Sequence, residues 1–299
     1  MRKLIIACSL LLLGTTANAQ KGFYTDINFG YGVCIPNSVI AVDLYKNLDN
    51  PDLSYQRNVY GTLGRGFNVS VNPGYMITKH IGVELGINYF IGAESMLDTN
   101  KTTSDPNLYD VTKAKSNQLR IIPAVVINTG GSKLYGYAKA GLVLPIAGST
   151  EAVRSASFSV LVDPINHVKQ VYSNEFKATV NGSFSLGFKG SLGIGYNFTP
   201  NIGLNLEVFC TALQVKAKTR KVVETAKVDG VVVENDPAPT YYTETNYVDN
   251  LSSNSNNDKY NPNFDVTKPK DELARKTSFN QFGFNFGITF KVGSKSTKE

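Results

Sequence analysis

Tryptophan is absent from this chain, and histidine occurs only at positions 80 and 167. Two isolated imidazoles leave little for a histidine-rich metal centre, and no Cys/His pattern with zinc spacing is present. No glycine loop of the phosphate-cradling type occurs either. Cysteine is nearly absent: Cys8 sits in the apolar N-terminal stretch, leaving Cys34 and Cys210. An exported protein can oxidise such a pair. Strand parity, however, puts Cys34 on an inward face and Cys210 on an outward one, so free thiols are expected. Beyond residue 13 no run approaches the roughly 20 apolar residues of a spanning helix. A membrane-crossing chain of this kind has to use strands.

What is present begins with an export signal. Arg2 and Lys3 precede an apolar run from Leu4 to Leu13, and Ala17-Asn18-Ala19 supplies small residues for cleavage. Residues 1–19 are therefore read as a removable signal peptide, with Gln20 as the new N-terminus. The formal charge of +6 includes Arg2 and Lys3, so the mature chain carries about +4. That excess suits an anionic surface, and no basic helix or aromatic platform points to nucleic acid. The 26 glycines suit crowded interior positions, and the 16 tyrosines and 16 phenylalanines suit interfacial girdles.

Three short connections, 77–80, 128–132 and 197–200, alternate with long ones at 35–61, 93–115, 148–175 and 218–276. Between them lie eight candidate strands: 23–34, 62–76, 81–92, 116–127, 133–147, 176–198, 201–215 and 277–292. Period two is plain in the third, where Ile81, Val83, Leu85, Ile87, Tyr89 and Ile91 share a face opposite Gly82, Glu84, Gly86 and Asn88. The last strand repeats it, with Phe282, Phe284, Phe286, Ile288 and Phe290 against Gln281, Gly283, Asn285, Gly287 and Thr289. One fatty face and one polar, glycine-rich face fit lipid outside and a polar lumen inside. The expectation is all-β: an eight-stranded antiparallel up-and-down transmembrane barrel over 20–292, with short periplasmic turns, long extracellular loops and a periplasmic tail at 293–299. Two hairpins, 74–85 and 195–206, read as copies of one unit with matching Tyr, Thr, Ile, Gly and Leu positions.

The chain closes on Asn285-Phe286-Gly287-Ile288-Thr289-Phe290-Lys291-Val292. This resembles the C-terminal assembly signal of small outer-membrane β-barrels of Gram-negative bacteria, with Asn285, Gly287, Phe290 and Val292 at its marked positions. Val292 stands where an aromatic is usual, and residues 293–299 run past the usual end. The whole mature chain is similar to the transmembrane barrel of outer membrane protein A. That resemblance implies the outer membrane as location, its lipid and lipopolysaccharide as surroundings, and the barrel assembly machinery as a partner.

Parity sends Asp26, Glu84 and Glu207 inward with Arg120, Lys139 and Lys189. They line an ion pathway or fill the barrel as a paired network. Eight-stranded barrels have interiors just wide enough for side chains, so the paired network is the expectation. His167 lies near Asp163 in the third loop, but no oriented serine or second acid pair accompanies it. No cofactor or metal is implied, and the expectation is a non-enzymatic protein. Tyr241, Tyr242, Tyr247 and Tyr260 punctuate the polar fourth loop and are the candidate contacts for an extracellular ligand. Its first part, 215–233, is expected to form a hairpin around Asp229-Gly230. The leading function is surface contact, adhesion or envelope integrity. Transport or binding of a small or hydrophobic solute at the mouth is the alternative, and a hydrolase using His167 the third.

Overall fold

The computed structural model describes residues 22–35, 39–46, 51–102, 108–163, 165, 168–233 and 236–292. The expected signal peptide, the tail 293–299 and His167 lie outside the described residues. The protein is all-β. The strands begin with β1 (Phe23–Cys34), β2 (Val39–Lys46), β3 (Tyr55–Tyr60), β4 (Gly66–Met76), β5 (Ile81–Gly92), β6 (Ser95–Thr102), β7 (Tyr109–Asn128) and β8 (Leu134–Asp163). They continue with β9 (Val168–Gly182), β10 (Gly187–Asn197), β11 (Ile202–Ala212), β12 (Gln214–Val228), β13 (Val231–Val233), β14 (Glu244–Val248), β15 (Lys270–Leu273), β16 (Lys276–Ser278) and β17 (Gln281–Lys291). Helical structure among the described residues is limited to a 3-10 turn, Pro51–Leu53, and one helical turn, α1 (Thr240–Thr243).

β1 pairs with β17 on one side and β4 on the other. From β4 the antiparallel ladders run to β5, β7, β8, β10 and β11, and β11 pairs with β17. The remaining strands lie wholly or partly in the connections expected as loops; β9, β12 and β16 overlap the expected strands at their ends. The strand count therefore differs from eight: seventeen are present among the described residues. The single strand expected over 176–198 is corrected to β9 and β10, which have different partners. β9 pairs with the distal half of β8 and with β12, whereas β10 pairs with the proximal half of β8 and with β11. The hairpin at Asp229-Gly230 forms, with positive φ at both residues (50° and 82°), and β13 returns against the end of β12.

Along β5 and β17 exposed and buried residues alternate without interruption. The exposed ones are apolar, such as Leu85, Ile87, Phe284 and Phe286, and the buried ones include Glu84, Asn88 and Asn285. This inside-out pattern is what a lipid-facing wall requires. Cys210 is free and exposed; the side chain of Cys34 lies outside what is described. Near the short turns, Tyr24, Tyr135 and Tyr137 are buried inward. Each ring lies over a glycine, Gly74, Gly195 and Gly193 respectively, where a Cβ would collide with it. Pro73 falls where a ladder has a gap: it keeps its β1 partner Thr25, while β4–β5 pairing is interrupted between Val71↔Ile87 and Gly74↔Glu84 with the register unchanged. A residue without an N–H can serve one neighbour only on such terms.

The two hairpin copies share their turn chemistry. Thr78 Oγ1 accepts from the N–H groups of His80 and Ile81 at 3.2 and 2.9 Å, and Thr199 Oγ1 from those of Asn201 and Ile202 at 3.3 and 3.0 Å. The His80 ring joins its turn to the next through Nδ1 and the Asn128 carbonyl, 2.9 Å apart. The outward face makes one prediction. Ile87→Arg, midway along β5, should cost about 2–4 kcal/mol in a bilayer, read from the urea midpoint in vesicles; an unchanged midpoint would mean this face does not meet hydrocarbon.

Candidate functional site

Three layers fill the space between the short turns and the mouth at the opposite end. The lowest holds the buried tyrosines. Above them Lys139 Nζ of β8 lies 2.9 Å from Asp26 of β1, 2.7 Å from Glu84 of β5 and 3.9 Å from Glu207 of β11. Lys189 of β10 reaches Glu207 at 3.4 Å. Neutral donors complete the carboxylates' hydrogen bonds: Thr289 to Asp26 (2.7 Å), Tyr24 to Glu84 (3.0 Å) and Asn285 to Glu207 (2.8 Å). A cavity lined by Glu84, Lys139, Lys189 and Glu207 measures about 20 Å³, room for about one water molecule. Five of the six charges placed inward by parity are thus brought together.

The sixth is not. Arg120 is fully buried but pairs with no carboxylate among the described residues; its guanidinium lies 4.3 Å over the Phe90 ring, and its Nε donates to Gln118 at 2.9 Å. With its amide oriented to satisfy both ends, Gln281 accepts from Arg120 Nη1 at 3.0 Å and donates to the Gly64 carbonyl at 3.1 Å. The expected three-against-three network is corrected to three acids with two lysines, and a cation–aromatic contact above them. Over Arg120 lies an apolar layer of Leu63, Phe90, Val143, Leu213 and Phe279, each at most 4% exposed. Segments that leave the wall carry part of it: Leu63 N donates to the Ser278 carbonyl, and Phe279 N to that of Leu213. The expected polar filling therefore has an apolar lid. Phe90 and Val143, apolar residues on polar parity, were its legible signal.

The fourth connection is a compact polar platform. Tyr241 is buried, which removes it from the candidate contacts. Its hydroxyl donates to Asp258 Oδ1 at 2.8 Å and accepts from the Asp258 N–H at 2.9 Å, and its ring packs 4.7 Å from that of Phe264. Asn256 binds both sides of the same fold: Nδ2 donates to the carbonyls of Asp265 and Pro269, both at 2.9 Å, and Oδ1 accepts from the Asp265 N–H at 2.7 Å. Tyr242 and Tyr260 are exposed and Tyr247 is half-buried, so these three remain on the surface. The hydrogen bond from Tyr241 holds the Asp258 carboxyl below its ordinary value, and bonds from Thr267 hold Asp265 at about 2. At the C-terminal end, Asn285 and Gly287 face inward, Gly287 closely against Asn28, whereas Phe290 and Val292 face outward.

The model of a family described as outer membrane protein beta-barrel domain matches residues 5–225. The chain belongs to that family. The match ends within β12, so β17 lies beyond it. As members of this family are, the protein is an outer-membrane protein. Among solved structures it is similar to the outer membrane protein OprG from Pseudomonas aeruginosa, with 14% identity and a TM-score of 0.43 over 92% of this chain and 98% of that one. OmpT of Vibrio cholerae aligns over the same shares at 9% identity, with a TM-score of 0.08. No curated protein matches the chain.

Two outcomes follow from the site. Lys139→Met strands three carboxylates with one lysine and should destabilise the protein by about 3–5 kcal/mol, measured by urea titration of heat-modifiable migration. In the platform both carboxylates are depressed, so their stabilisation is complete above the ordinary carboxylate value of 3.8 and is lost as pH falls below it, for Asp265 through about 2. Hydrogen-exchange protection of 240–273 should thus be alike at about pH 7 and about pH 5, and begin to fall only as pH drops toward about 2.

Proposed function

We propose that the transmembrane wall is the ring of eight strands β1, β4, β5, β7, β8, β10, β11 and β17, and that its lumen does not conduct. The protein then acts without catalysis at the cell surface, in surface contact, adhesion or envelope integrity. The observation that carries this reading is the filled interior: the Lys139 cluster leaves about 20 Å³, beneath a layer of nearly unexposed Phe90, Leu213 and Phe279. The extracellular side, by contrast, is built. β8 runs for 30 residues, its distal half paired to β7 and β9, and the platform presents Tyr242 and Tyr260 to solvent. Aromatic side chains on a rigid polar support suit recognition of a partner. Membrane lipid and lipopolysaccharide surround the wall in this reading, and Asn285, Gly287, Phe290 and Val292 are offered to the assembly machinery.

One observation favours the second reading, solute binding or transport. A cavity of about 340 Å³ at the mouth brings Ser116, Gln118 and Thr150 together with Ile146, Phe184 and Phe279. A solute there would still have to displace the layer around Arg120 to pass inward. The two readings separate experimentally. Planar bilayers containing the protein should show no large, stable conductance, and removal of 236–269 should abolish adhesion of expressing cells while heat-modifiable migration persists. Swelling of vesicles in small solutes, above protein-free controls, would replace the first reading by the second.

A further inference from the structure

The wall parts at its extracellular end between β8 and β10. β10 follows β8 as far as Gly187 opposite Val143, and β9 begins its pairing at Asn181 opposite Ser149. Residues 144–148 of β8 are therefore paired toward β7 alone. Pro145 has no N–H to donate, and Ile146 is the extra residue of a bulge between Pro145↔Arg120 and Ala147↔Leu119. Both suit a strand at the place where it changes neighbours. The connector 183–186 crosses this opening with Phe184 78% and Leu186 51% exposed.

Two cavities flank the connector, and Phe184 borders both. The β12–β16 ladder divides them. Val215, Ala217 and Thr277 face the cavity at the mouth already described; Gln214, Lys216 and Lys276 face a second one of about 430 Å³. Leu186, Ala212 and Leu213 complete its apolar side. Lys216 and Lys276 stand directly opposite each other in the ladder, an arrangement of like charges that opposes strand pairing. Asp249 reaches Lys216, but among the described residues no carboxylate pairs with Lys276. The cavity begins where the outward rows of β10 and β11 end, at Phe188 opposite Ala212. Cations thus sit over an apolar trough at the rim of the lipid-facing surface.

We propose that this second cavity binds an anionic lipid of the surrounding leaflet, its phosphate between Lys216 and Lys276 and its hydrocarbon chain along Phe184 and Leu186. The headgroup supplies the counter-charge that Lys276 lacks, sharing Lys216 with Asp249, and the chain covers two side chains that water otherwise meets. Its volume lies within the usual range for small-ligand sites, about 300–1,000 Å³.

Native mass spectrometry of the full chain in a neutral detergent tests this, with phosphatidic acid and phosphatidylcholine offered at equal concentration. One phosphatidic acid should be retained, and retention should fall at least tenfold in Lys216→Gln/Lys276→Gln. Phe184→Ser, which keeps both cations, should weaken it as well. Equal retention of phosphatidylcholine, or unchanged retention in the lysine variant, overturns the proposal. So does displacement of the lipid by inorganic phosphate at the same concentration, which would show an anion site with no role for the chain. All variants are compared after heat-modifiable migration shows that they fold; if the double lysine variant does not fold, Lys276→Gln alone decides.

Discussion

One ammonium group organises the interior. Lys139 Nζ, on β8, is held by carboxylates from β1, β5 and β11, strands distant from one another in sequence. A charge in so dry a place is tolerable only when opposite charges and hydrogen bonds surround it. Each partner in turn depends on a neighbour: Thr289 steadies Asp26, Tyr24 steadies Glu84, and Asn285 steadies Glu207. The register of the ladders has to deliver all these atoms at one height. A slip by a single residue would turn each inward group to lipid, so the cluster and the ladders specify each other.

Much of this wall was legible as alternation. β1 and β5 have the boundaries that periodicity assigns, and five of the six inward charges lie together. Parity identifies a face but not a height, and Arg120 shows the difference. Glu84 stands opposite Ala124, while Arg120, four residues nearer the mouth on the same strand, stands opposite Asn88. Four residues of strand amount to about 13 Å, too far for an ion pair. The guanidinium turned instead to the nearest ring, that of Phe90.

The architecture of the long connections was hidden for a different reason. Strands that meet water on both faces need no fatty row, so the distal half of β8, rich in Ser, Ala and Val, carries no inside-out signature. The split between β9 and β10 was hidden likewise, because it lies in the pairing partners rather than in the side chains. Tyr241 and Tyr242 are adjacent, yet one closes the platform's interior against Phe264 while the other faces solvent. Composition treats them alike; only the position of Asp258 separates them.

β17 pairs with both β1 and β11, and the platform lies between β11 and β17 in the chain. Until the last strand arrives, two long edges with unspent backbone donors and acceptors face a medium that cannot solvate them. The seam is therefore closed by the C-terminal strand, and a sheet lacking β17 keeps two adhesive edges, one on β1 and one on β11.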